Sequence, residues 1–511
     1  MVNYSLNPDP CGCDGRREGD CPTHETVIEL TREISNLRKE LAECSPPPKI
    51  DTQLTINTSS FTSRPWKGFG ASFAGSGQYV FLDPAFDETR DDMTRILFSE
   101  TEGIGLDIAR VHIGAGELPA PSYGDPSNNL KTHEPEDGVI DWTTNDGQIA
   151  AVQSALSHNA GVKVLASCWS PPGWLKTNGN DTGQHDDGTP AEIIPGGIPR
   201  FAQYLRTYLD HYSEGGPYKV DYFSPINEPS FAPAGIGSWW TVENVGALNA
   251  ELATALDGWD GELLSPEEAA YSTTVSTVDY LRSNAEALTG WGAVDSVATH
   301  FYNPDITRVR REAAGDLARI TSEGRPVYMT EITMTGYQLP EAMDLAEYVH
   351  WYMTTHDADM FLYWLAFQWV TEFAGALNGS VALLGVSDQG DYRPNKKYYA
   401  LGQYSRFIRP GWRAVSVTGD TTPRRALETD GGLFATTYAA PDRSRTATVV
   451  VNRGARQTVR ITGLATEIAE IVVTDETRDM ETIAVLDAPY GSAIVNIPAN
   501  SIVTIADKVL T

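Results

Sequence analysis

Two glutamates stand out because each closes an apolar, strand-like run of sequence. Glu228 belongs to "VDYFSPINEP" (220–229), and Glu331 lies in "VYMTEIT" (327–333). Hydrolysis of a glycosidic bond needs one carboxylic acid to protonate the leaving oxygen and a second carboxylate to attack carbon or to activate water. The sequence therefore predicts that Glu228 and Glu331 form a catalytic pair, provided that the fold brings them together.

The elements that must bring them together are eight strand-like runs that alternate with helical patterns. Apolar residues between the runs recur at helical spacing, as Phe201, Leu205 and Leu209 do. The predicted strands cover 68–73, 107–114, 162–169, 220–227, 261–265, 296–302, 327–333 and 360–367. This α/β pattern predicts a (β/α)8 TIM barrel over 66–407, with its working residues at the C-terminal ends of the strands.

Other side chains that suit sugar binding are expected at the same ends of these strands. Indole rings offer flat apolar faces to a sugar ring, and polar groups can bond its hydroxyls. The predicted substrate-binding residues are Arg110, Trp169, Trp174, Asn227, His300, Tyr302 and Trp364. Pro229 is expected to fix the backbone beside Glu228. Cys168 is disfavoured as a nucleophile because no base is placed beside it by the sequence.

The residues after the barrel have a different pattern. Alternating runs such as "TATVVVN", "TVRITG", "EIVVT" and "SAIVNIPANSIVTI" predict a small β-domain beside the barrel over 408–511. The strand-like "TQLTINTSS" at 52–60 lies outside the barrel. Because connections between neighbouring elements are short, we expect segment 50–65 to add a strand to this side domain.

The first 49 residues form a separate Cys-containing segment that ends in three prolines, a predicted linker. Residues 27–44 carry apolar side chains at alternating spacings of three and four, which predicts a short helix. Such a helix can lie on the main domain or support weak self-association. The candidate ligands Cys11, Cys13, Cys21 and His24 lack a common zinc spacing, so zinc, disulfides that include Cys44, and free thiols all stay open.

Net charge excludes several classes of partner. A formal charge of -30 and an isoelectric point near 4.6 argue against nucleic acid or an anionic membrane surface, which attract basic patches. No run approaches the ~18 apolar residues of a membrane span. The first residues also lack the pattern of a signal peptide. A neutral ligand is favoured, and the acidic surface suits either salt adaptation or ordinary solubility.

Taken together, these segments resemble glycoside hydrolase family 30. The resemblance rests on "GFGAS", "CWSPPGWLKTNG", "INEP", "THFY", "MTEIT" and "IPANSIVTI", and it extends over about 54–506. It implies that the β-domain over 408–511 is a β-sandwich attached to the barrel. It also implies a retaining two-step mechanism in which Glu228 is the general acid/base and Glu331 the nucleophile. Their carboxylates would then lie roughly 5 to 5.5 Å apart. The resemblance implies neither a metal nor an organic cofactor.

The likeness is greatest to the endo-xylanase branches, partly through "GSWWTVEN" (237–244), which adds Trp240 to the expected sugar-binding residues. It implies endo-acting cleavage of β-1,4-xylan. Alternatives within the family are β-1,6-galactan or β-1,6-glucan and, less attractively, glucosylceramide. Xylanases that require glucuronate carry an Arg soon after strand eight, whereas here none precedes Arg393, so strict dependence on glucuronate is not expected.

A polysaccharide substrate implies an extracellular enzyme, although no signal peptide is visible in this chain. A different class of function is a catalytically silent barrel that only binds carbohydrate. The presence of both carboxylates at strand ends argues against this alternative.

Overall fold

A computed structural model describes residues 48–74, 80–114, 131–302, 324–369, 381–387, 389–418 and 432–507. The chain divides into two compact units, residues 1–51 and 52–511. Within the first unit only residues 48–51 are described, so the predicted helix at 27–44 and the cysteines of the N-terminal segment lie outside the described residues.

The second unit contains a barrel of eight parallel strands. The first strand of the chain, β1 (Thr52–Phe61), belongs to another sheet. The barrel strands are β2 (Gly68–Ser72), β3 (Ile108–Ile113), β4 (Lys163–Cys168), β5 (Tyr222–Ser224), β6 (Glu262–Leu263), β7 (Val297–His300), β8 (Val327–Glu331) and β9 (Met360–Tyr363). They pair in parallel in the order β6-β5-β4-β3-β2-β9-β8-β7, and bridges from Leu264 to Ser296 and from Glu268 to Thr299 join the two ends. The predicted (β/α)8 barrel is confirmed.

Alternation along these strands decides which side chains point into the barrel. Ile108, Leu165, Ala298 and Tyr328 belong to one buried cluster contributed by most of the strands. Residues two positions later share the same face, so Arg110, Ser167 and His300 continue inward at the C-terminal ends. These three are fully or almost fully buried. The strand ends therefore converge on a polar layer above the apolar interior.

Glu331 reaches that layer through an irregularity in β8. It comes three residues after the inward-facing Tyr328, so a regular strand would turn its side chain outward. The pairing of β7 with β8 shifts between Thr299 and His300, and His300 stands opposite Glu331. An extra residue of this kind re-aims a side chain. Here it leaves Glu331 beside His300.

The helices that cover the barrel follow the predicted apolar spacing. In the described residues they are α1 (Arg90–Phe98), α2 (Asp146–His158), α3 (Ile198–His211), α4 (Val242–Ala255), α5 (Tyr271–Ser283), α6 (Leu288–Ala293), α7 (Leu339–Thr354) and α8 (Lys396–Ser405). Phe201, Leu205 and Leu209 on α3 are completely buried against the strands. Among the described helices, none is long and apolar enough to cross a bilayer.

The last predicted barrel strand, 360–367, is two strands. Barrel strand β9 ends at Tyr363, and β10 (Leu365–Trp369) pairs instead with β11 (Ala382–Val386). A third strand, β12 (Tyr392–Pro394), completes this small sheet. Trp364 stands at the change of direction between the two sheets.

In the part of the chain that the structure describes, the expected β-sandwich side domain contains a nine-stranded sheet. Besides β1 it contains β13 (Arg413–Thr418), β14 (Leu433–Ala439), β15 (Thr446–Asn452), β16 (Gln457–Thr462), β17 (Ile468–Thr474), β18 (Glu481–Asp487), β19 (Ser492–Ile497) and β20 (Ser501–Asp507). Strand β1 pairs antiparallel with β13 and parallel with β16. Its Leu54 and Ile56 lie in the apolar core of this domain. The sheet therefore contains strands from both sides of the barrel in the sequence.

Candidate active site

The two predicted catalytic carboxylates meet at the C-terminal end of the barrel. Glu228 follows β5, and Glu331 is the last residue of β8. One oxygen of each carboxylate and one ring nitrogen of His300 all lie within 4.8 Å of one another. Carboxylates of retaining glycosidases are typically about 5 to 5.5 Å apart, so this spacing suits direct attack by one of them.

Glu331 is buried and receives several hydrogen bonds. Its side chain is only 6% exposed, and the guanidinium of Arg110 donates to Oε2. The Tyr302 hydroxyl donates to Oε1 over 2.7 Å. Burial raises the pKa of Glu331, while the charges of His300 and Arg110 act against that rise. The carboxylate is thus fixed in orientation by donors on both oxygens.

Glu228 is more accessible and sits on a strained backbone. Its φ of 51° lies in the left-handed region, which non-glycine residues rarely adopt. The backbone N–H donates to the carbonyl of Glu267 over 2.9 Å, and Nδ1 of His300 lies 2.9 Å from Oε1. The side chain is 14% exposed, more than twice the exposure of Glu331. Strain of this kind is retained where a side chain must be aimed at a functional site.

Arg110 connects the residues of the site. Besides Glu331, its guanidinium donates to Asn227 Oδ1 over 2.7 Å and approaches Glu267 Oε1 at 3.4 Å. Burial alone would lower the pKa of Arg110, but the charges of Glu331 and Glu267 outweigh burial and raise it. The bond from Arg110 fixes the orientation of the Asn227 amide, whose Nδ2 is its donor group, and the predicted bond from Asn227 to a sugar hydroxyl stays a prediction.

Sequence reasoning missed Glu267, a third carboxylate in the same layer. It follows the two-residue strand β6, is completely buried and has a φ of 53°. Ser167 Oγ donates to its Oε2 over 2.6 Å. Burial would raise its pKa, but the charge of Arg110 and contacts from His300 and Ser167 lower it to about 2. The signal was present, because "SPEEAA" (265–270) sets two adjacent acids at the end of predicted strand five.

His300 lies at the centre of these acids. Its side chain is completely buried, Nε2 is 3.5 Å from Glu267 Oε1, and Nδ1 is 3.7 Å from Glu331 Oε1 as well as close to Glu228. Burial would lower its pKa, but the charge of Glu331 and the contacts with Glu228 and Glu267 raise it to about 10. The surrounding carboxylates therefore favour the protonated form of His300.

The donor atoms of Glu228, His300 and Glu331 are close enough to surround a metal ion. However, His300 Nδ1, the nitrogen nearest both carboxylates, is hydrogen-bonded to Glu228, and Arg110 is bonded to Glu331. A divalent cation would have to displace these partners and would meet the positive charge of Arg110. The chemistry of this donor set fits a charge-paired carboxylate site better than a metal centre.

Two of the predicted aromatic residues lie beside this network. Trp169, directly after β4, stacks on Trp364 with ring centroids 5.1 Å apart. The guanidinium of Arg110 is 5.8 Å from the centroid of Trp364. Both indoles are partly exposed. They form an aromatic wall next to the carboxylates.

The other two predicted tryptophans have different surroundings. The indole N–H of Trp174 donates to the carbonyl of Glu134 over 2.9 Å, and the guanidinium of Arg200 lies 4.8 Å from its ring centroid. Trp240 is only 2% exposed and packs on Phe201 in the main core. This corrects the expectation for Trp240, because an indole enclosed by apolar neighbours has no face left for a sugar.

The loop that carries Trp174 is held by a buried lysine. Lys176 is 3% exposed, and its ammonium donates to Ser170 Oγ over 2.9 Å and to the Thr182 carbonyl over 2.6 Å. A third bond reaches the carbonyl of Gly237 in another loop. Burial lowers the pKa of Lys176 to about 7. These bonds join two of the loops that follow strands β4 and β5.

A comparison with protein families gives a match within the barrel. The model of the glycosyl hydrolase family 30 TIM-barrel domain matches residues 66–235, which include β2 to β5, Arg110 and Glu228. The matched segment is thus the first half of the barrel described above.

Curated relatives and solved structures agree with this match. An endo-1,6-β-D-glucanase of Aspergillus fumigatus is 25% identical over 433 residues, 79% of this chain and 82% of the relative. Glucuronoxylanase XynC of Bacillus subtilis is 22% identical over 53% of this chain and 57% of its own length. The crystal structure of a GH30 endoxylanase from Clostridium papyrosolvens superposes with a TM-score of 0.67 at 21% identity, covering 89% of this chain and 100% of that one. Barrel, side domain and these matches agree that this chain is similar to glycosyl hydrolase family 30, the family whose TIM-barrel model matches residues 66–235.

Proposed function

We propose that the chain is a retaining endo-β-glycosidase in which Glu331 is the nucleophile and Glu228 the general acid/base. The observation that carries this proposal is the separation of the two carboxylates, whose nearest donor atoms lie within 4.8 Å. An inverting enzyme needs roughly 6.5 to 9.5 Å to admit a water between its carboxyl groups. The shorter separation favours attack by a carboxylate over attack by water.

In the first step, Glu331 Oε attacks the anomeric carbon while the protonated Glu228 gives its proton to the glycosidic oxygen. The carbon–oxygen bond to the leaving sugar breaks, and a glycosyl ester to Glu331 forms. In the second step, Glu228 removes a proton from water, which attacks the same carbon and releases Glu331. Arg110 and Tyr302 hold the Glu331 carboxylate throughout, through the bonds to its two oxygens.

The unequal exposure of the two acids supports this assignment of roles. Glu331 is almost closed off and bonded on both oxygens, as a nucleophile that must meet one carbon atom requires. Glu228 is more exposed, so that it can exchange its proton with the leaving group and then with water. The partly exposed Trp169 and Trp364 would bind the sugar beside the pair.

The proposed substrate is a neutral β-linked polysaccharide. Two candidates deserve direct comparison. β-1,4-Xylan is favoured by the sequence segments shared with endo-xylanases, whereas β-1,6-glucan is favoured by the relative that aligns over 79% of this chain. The formal net charge of -30 gives no reason to expect a preference for polysaccharides with acidic branches. A polymer of this kind is met outside the cell, so the proposed site of action is extracellular.

The test of mechanism compares the parent with Glu331→Gln and Glu228→Ala, using reducing-end release from soluble polysaccharide. Glu331→Gln should release no more than background. Glu228→Ala should lose about 10² to 10⁴-fold in rate on the polysaccharide. On an aryl β-glycoside, whose phenol leaves without acid assistance, azide should restore its turnover, measured as phenol release with formation of a β-glycosyl azide. The exposed Glu243 supplies the control Glu243→Gln, which should keep full activity. Equal release from the parent and Glu331→Gln would reject the proposal.

A second experiment separates the substrates. Xylan, glucuronoxylan, β-1,6-glucan and β-1,6-galactan are each incubated with the parent, and product sizes are followed with time. Early long oligomers support endo cleavage, whereas a monosaccharide or disaccharide alone from the start contradicts it. Binding of the polymers without any hydrolysis would instead indicate a carbohydrate-binding barrel.

A further inference from the structure

Glu267 has no part in the two-step reaction, yet it lies next to Arg110 and His300, the two residues that contact the catalytic acids. Its carboxylate is completely buried and contacts Arg110 at 3.4 Å, His300 at 3.5 Å and Ser167 at 2.6 Å. Its backbone carbonyl accepts the N–H of Glu228. A buried carboxylate with this many partners needs an explanation, because its desolvation is costly unless each partner compensates.

The two ring nitrogens of His300 indicate what Glu267 does. Nδ1 is 2.9 Å from a Glu228 oxygen, and Nε2 is 3.5 Å from a Glu267 oxygen. A neutral imidazole donates from only one nitrogen, whereas an imidazolium donates from both. Nε2 forms no hydrogen bond among the described residues, and the Glu267 carboxylate 3.5 Å away is the negative charge that favours a proton on it.

The charge around His300 comes from several elements. The titratable and charged groups that face it are Glu228 after β5, Glu267 and Glu268 after β6, Tyr302 after β7, Glu331 on β8 and, across the carboxylates, Arg110 on β3. Glu228 changes its protonation during the reaction, and Glu331 becomes an ester. Glu268 is bonded to Ser230 and Thr277 and not to the ring. Glu267 is thus the acid whose charge stays next to His300 through every step.

We propose that Glu267 is a positioning residue that keeps His300 doubly protonated, so that a fixed positive charge faces Glu331 and Glu228 throughout catalysis. This inference rests on the proposed function of the two acids. The imidazolium offsets the effect of burial on Glu331, which must be ionised to attack. It also stabilises the Glu228 carboxylate that forms when the proton passes to the leaving oxygen.

The test is the pH dependence of kcat/KM for Glu267→Gln, which keeps the shape but removes the charge. His300 should then lose its second proton near neutral pH. Glu331 loses the positive charge that opposes burial, its pKa rises, and the acidic limb of the profile should move up by about 1 pH unit. Glu267→Asp is the matched control, because it keeps the charge and should leave the limb unmoved even if kcat falls.

A second readout needs no substrate. Nitrogen NMR of labelled protein, with the His300 signals assigned by their loss in His300→Gln, reports the protonation of both ring nitrogens. The wild type should show an imidazolium at pH 8, and Glu267→Gln a neutral ring. A uniform fall in kcat without a shifted limb, with an unchanged imidazolium in Glu267→Gln, would overturn the proposal.

A neutral His300 in the wild type at pH 8 would overturn it as well, and this measurement decides the matter if Glu267→Gln does not fold. Because the NMR result does not depend on hydrolysis, it also distinguishes failure of this inference from failure of the proposed function. An enzyme inactive on every polysaccharide but with an imidazolium at His300 would reject only the latter.

Discussion

Two buried cations, one on strand β3 and one in the loop after β4, have different surroundings. Arg110 on β3 is 1% exposed and faces the carboxylates of Glu267 and Glu331. Lys176, in the loop after β4, is 3% exposed, and its bonds go to a hydroxyl and two backbone carbonyls. The first cation is compensated by full negative charges, and the second mainly by neutral dipoles.

The difference appears in their protonation. Carboxylates raise the pKa of Arg110, whereas burial lowers that of Lys176 to about 7. Arg110 therefore keeps a permanent positive charge next to the carboxylates of Glu267 and Glu331. Lys176 joins loops, and its bonds matter more than its charge. Substitution of each cation should consequently affect different properties of the enzyme.

The largest effect is expected for Arg110→Met. The substitution leaves Glu267 and Glu331 buried without their main partner, which typically costs about 3–5 kcal/mol of unfolding free energy, and kcat/KM should fall by at least two orders of magnitude, about 10²-fold. Without Arg110, burial raises the folded-state pKa of Glu267 above its usual value of about 4.5. Stability should therefore fall further as pH rises above that value, which denaturant unfolding between pH 4 and 8 can measure.

Arg95→Met is the matched control for this experiment, because Arg95 forms ion pairs with Asp92 and Glu102 on the surface. Its loss should change stability by no more than about 0.5 kcal/mol. A similar cost for both variants would show that the carboxylates around Arg110 are not ionised.

A smaller effect, mainly on stability, is expected for Lys176→Met. The methionine fills similar space but leaves the acceptors at Ser170, Thr182 and Gly237 without their donor, at a cost of about 1–3 kcal/mol. Thermal unfolding and kcat/KM should be measured together. The exposed Lys163 provides the control Lys163→Met. If Lys176→Met lost activity as severely as Arg110→Met while remaining folded, the distinction between the two cations would be wrong.

The aromatic residues near each cation should repeat this contrast on a smaller scale. Trp364→Ala, next to Arg110, should raise KM by about tenfold, equivalent to about 1.4 kcal/mol of binding. Trp174→Ala, in the loop that Lys176 holds, should lower the unfolding temperature and change KM less, because Trp174 packs against Arg200 and Glu134. An equal rise in KM for both would place Trp174 in the substrate cleft.

Much of the barrel could be predicted because the spacing of apolar residues and the residues that end each strand are both visible in the sequence. All eight strands lie where the apolar runs predict them, and the expectation that Glu228 and Glu331 converge follows from the geometry of a closed parallel sheet. The turn from β9 into β10 could not be predicted, since 360–367 is uniformly apolar and its period does not reveal a change of sheet. Trp240 was misjudged because sequence does not distinguish a packed indole from one at a cleft.

Glu267 shows a second limit. Its strand β6 has only two residues, so the pattern that marks a strand end is weak there. The β8 irregularity that turns Glu331 inward is likewise invisible in sequence, although the functional prediction depends on it. Local patterns locate strand ends, whereas the direction of individual side chains depends on pairing between distant segments.

The position of β1 in the side sheet has a consequence for synthesis of the chain. Its neighbours β13 and β16 lie beyond the barrel in the sequence, and 351 positions separate Ser63, just after β1, from Ala414, which donates its backbone N–H to the Ser63 hydroxyl. At about 5–20 residues per second, roughly 20 to 70 seconds pass before that partner is made. During this time β1 has two unpaired edges, each able to recruit a strand from another nascent chain. The risk that β1 pairs with a strand of another chain therefore arises during synthesis, before its own partners exist, and does not depend on the stability of the finished fold.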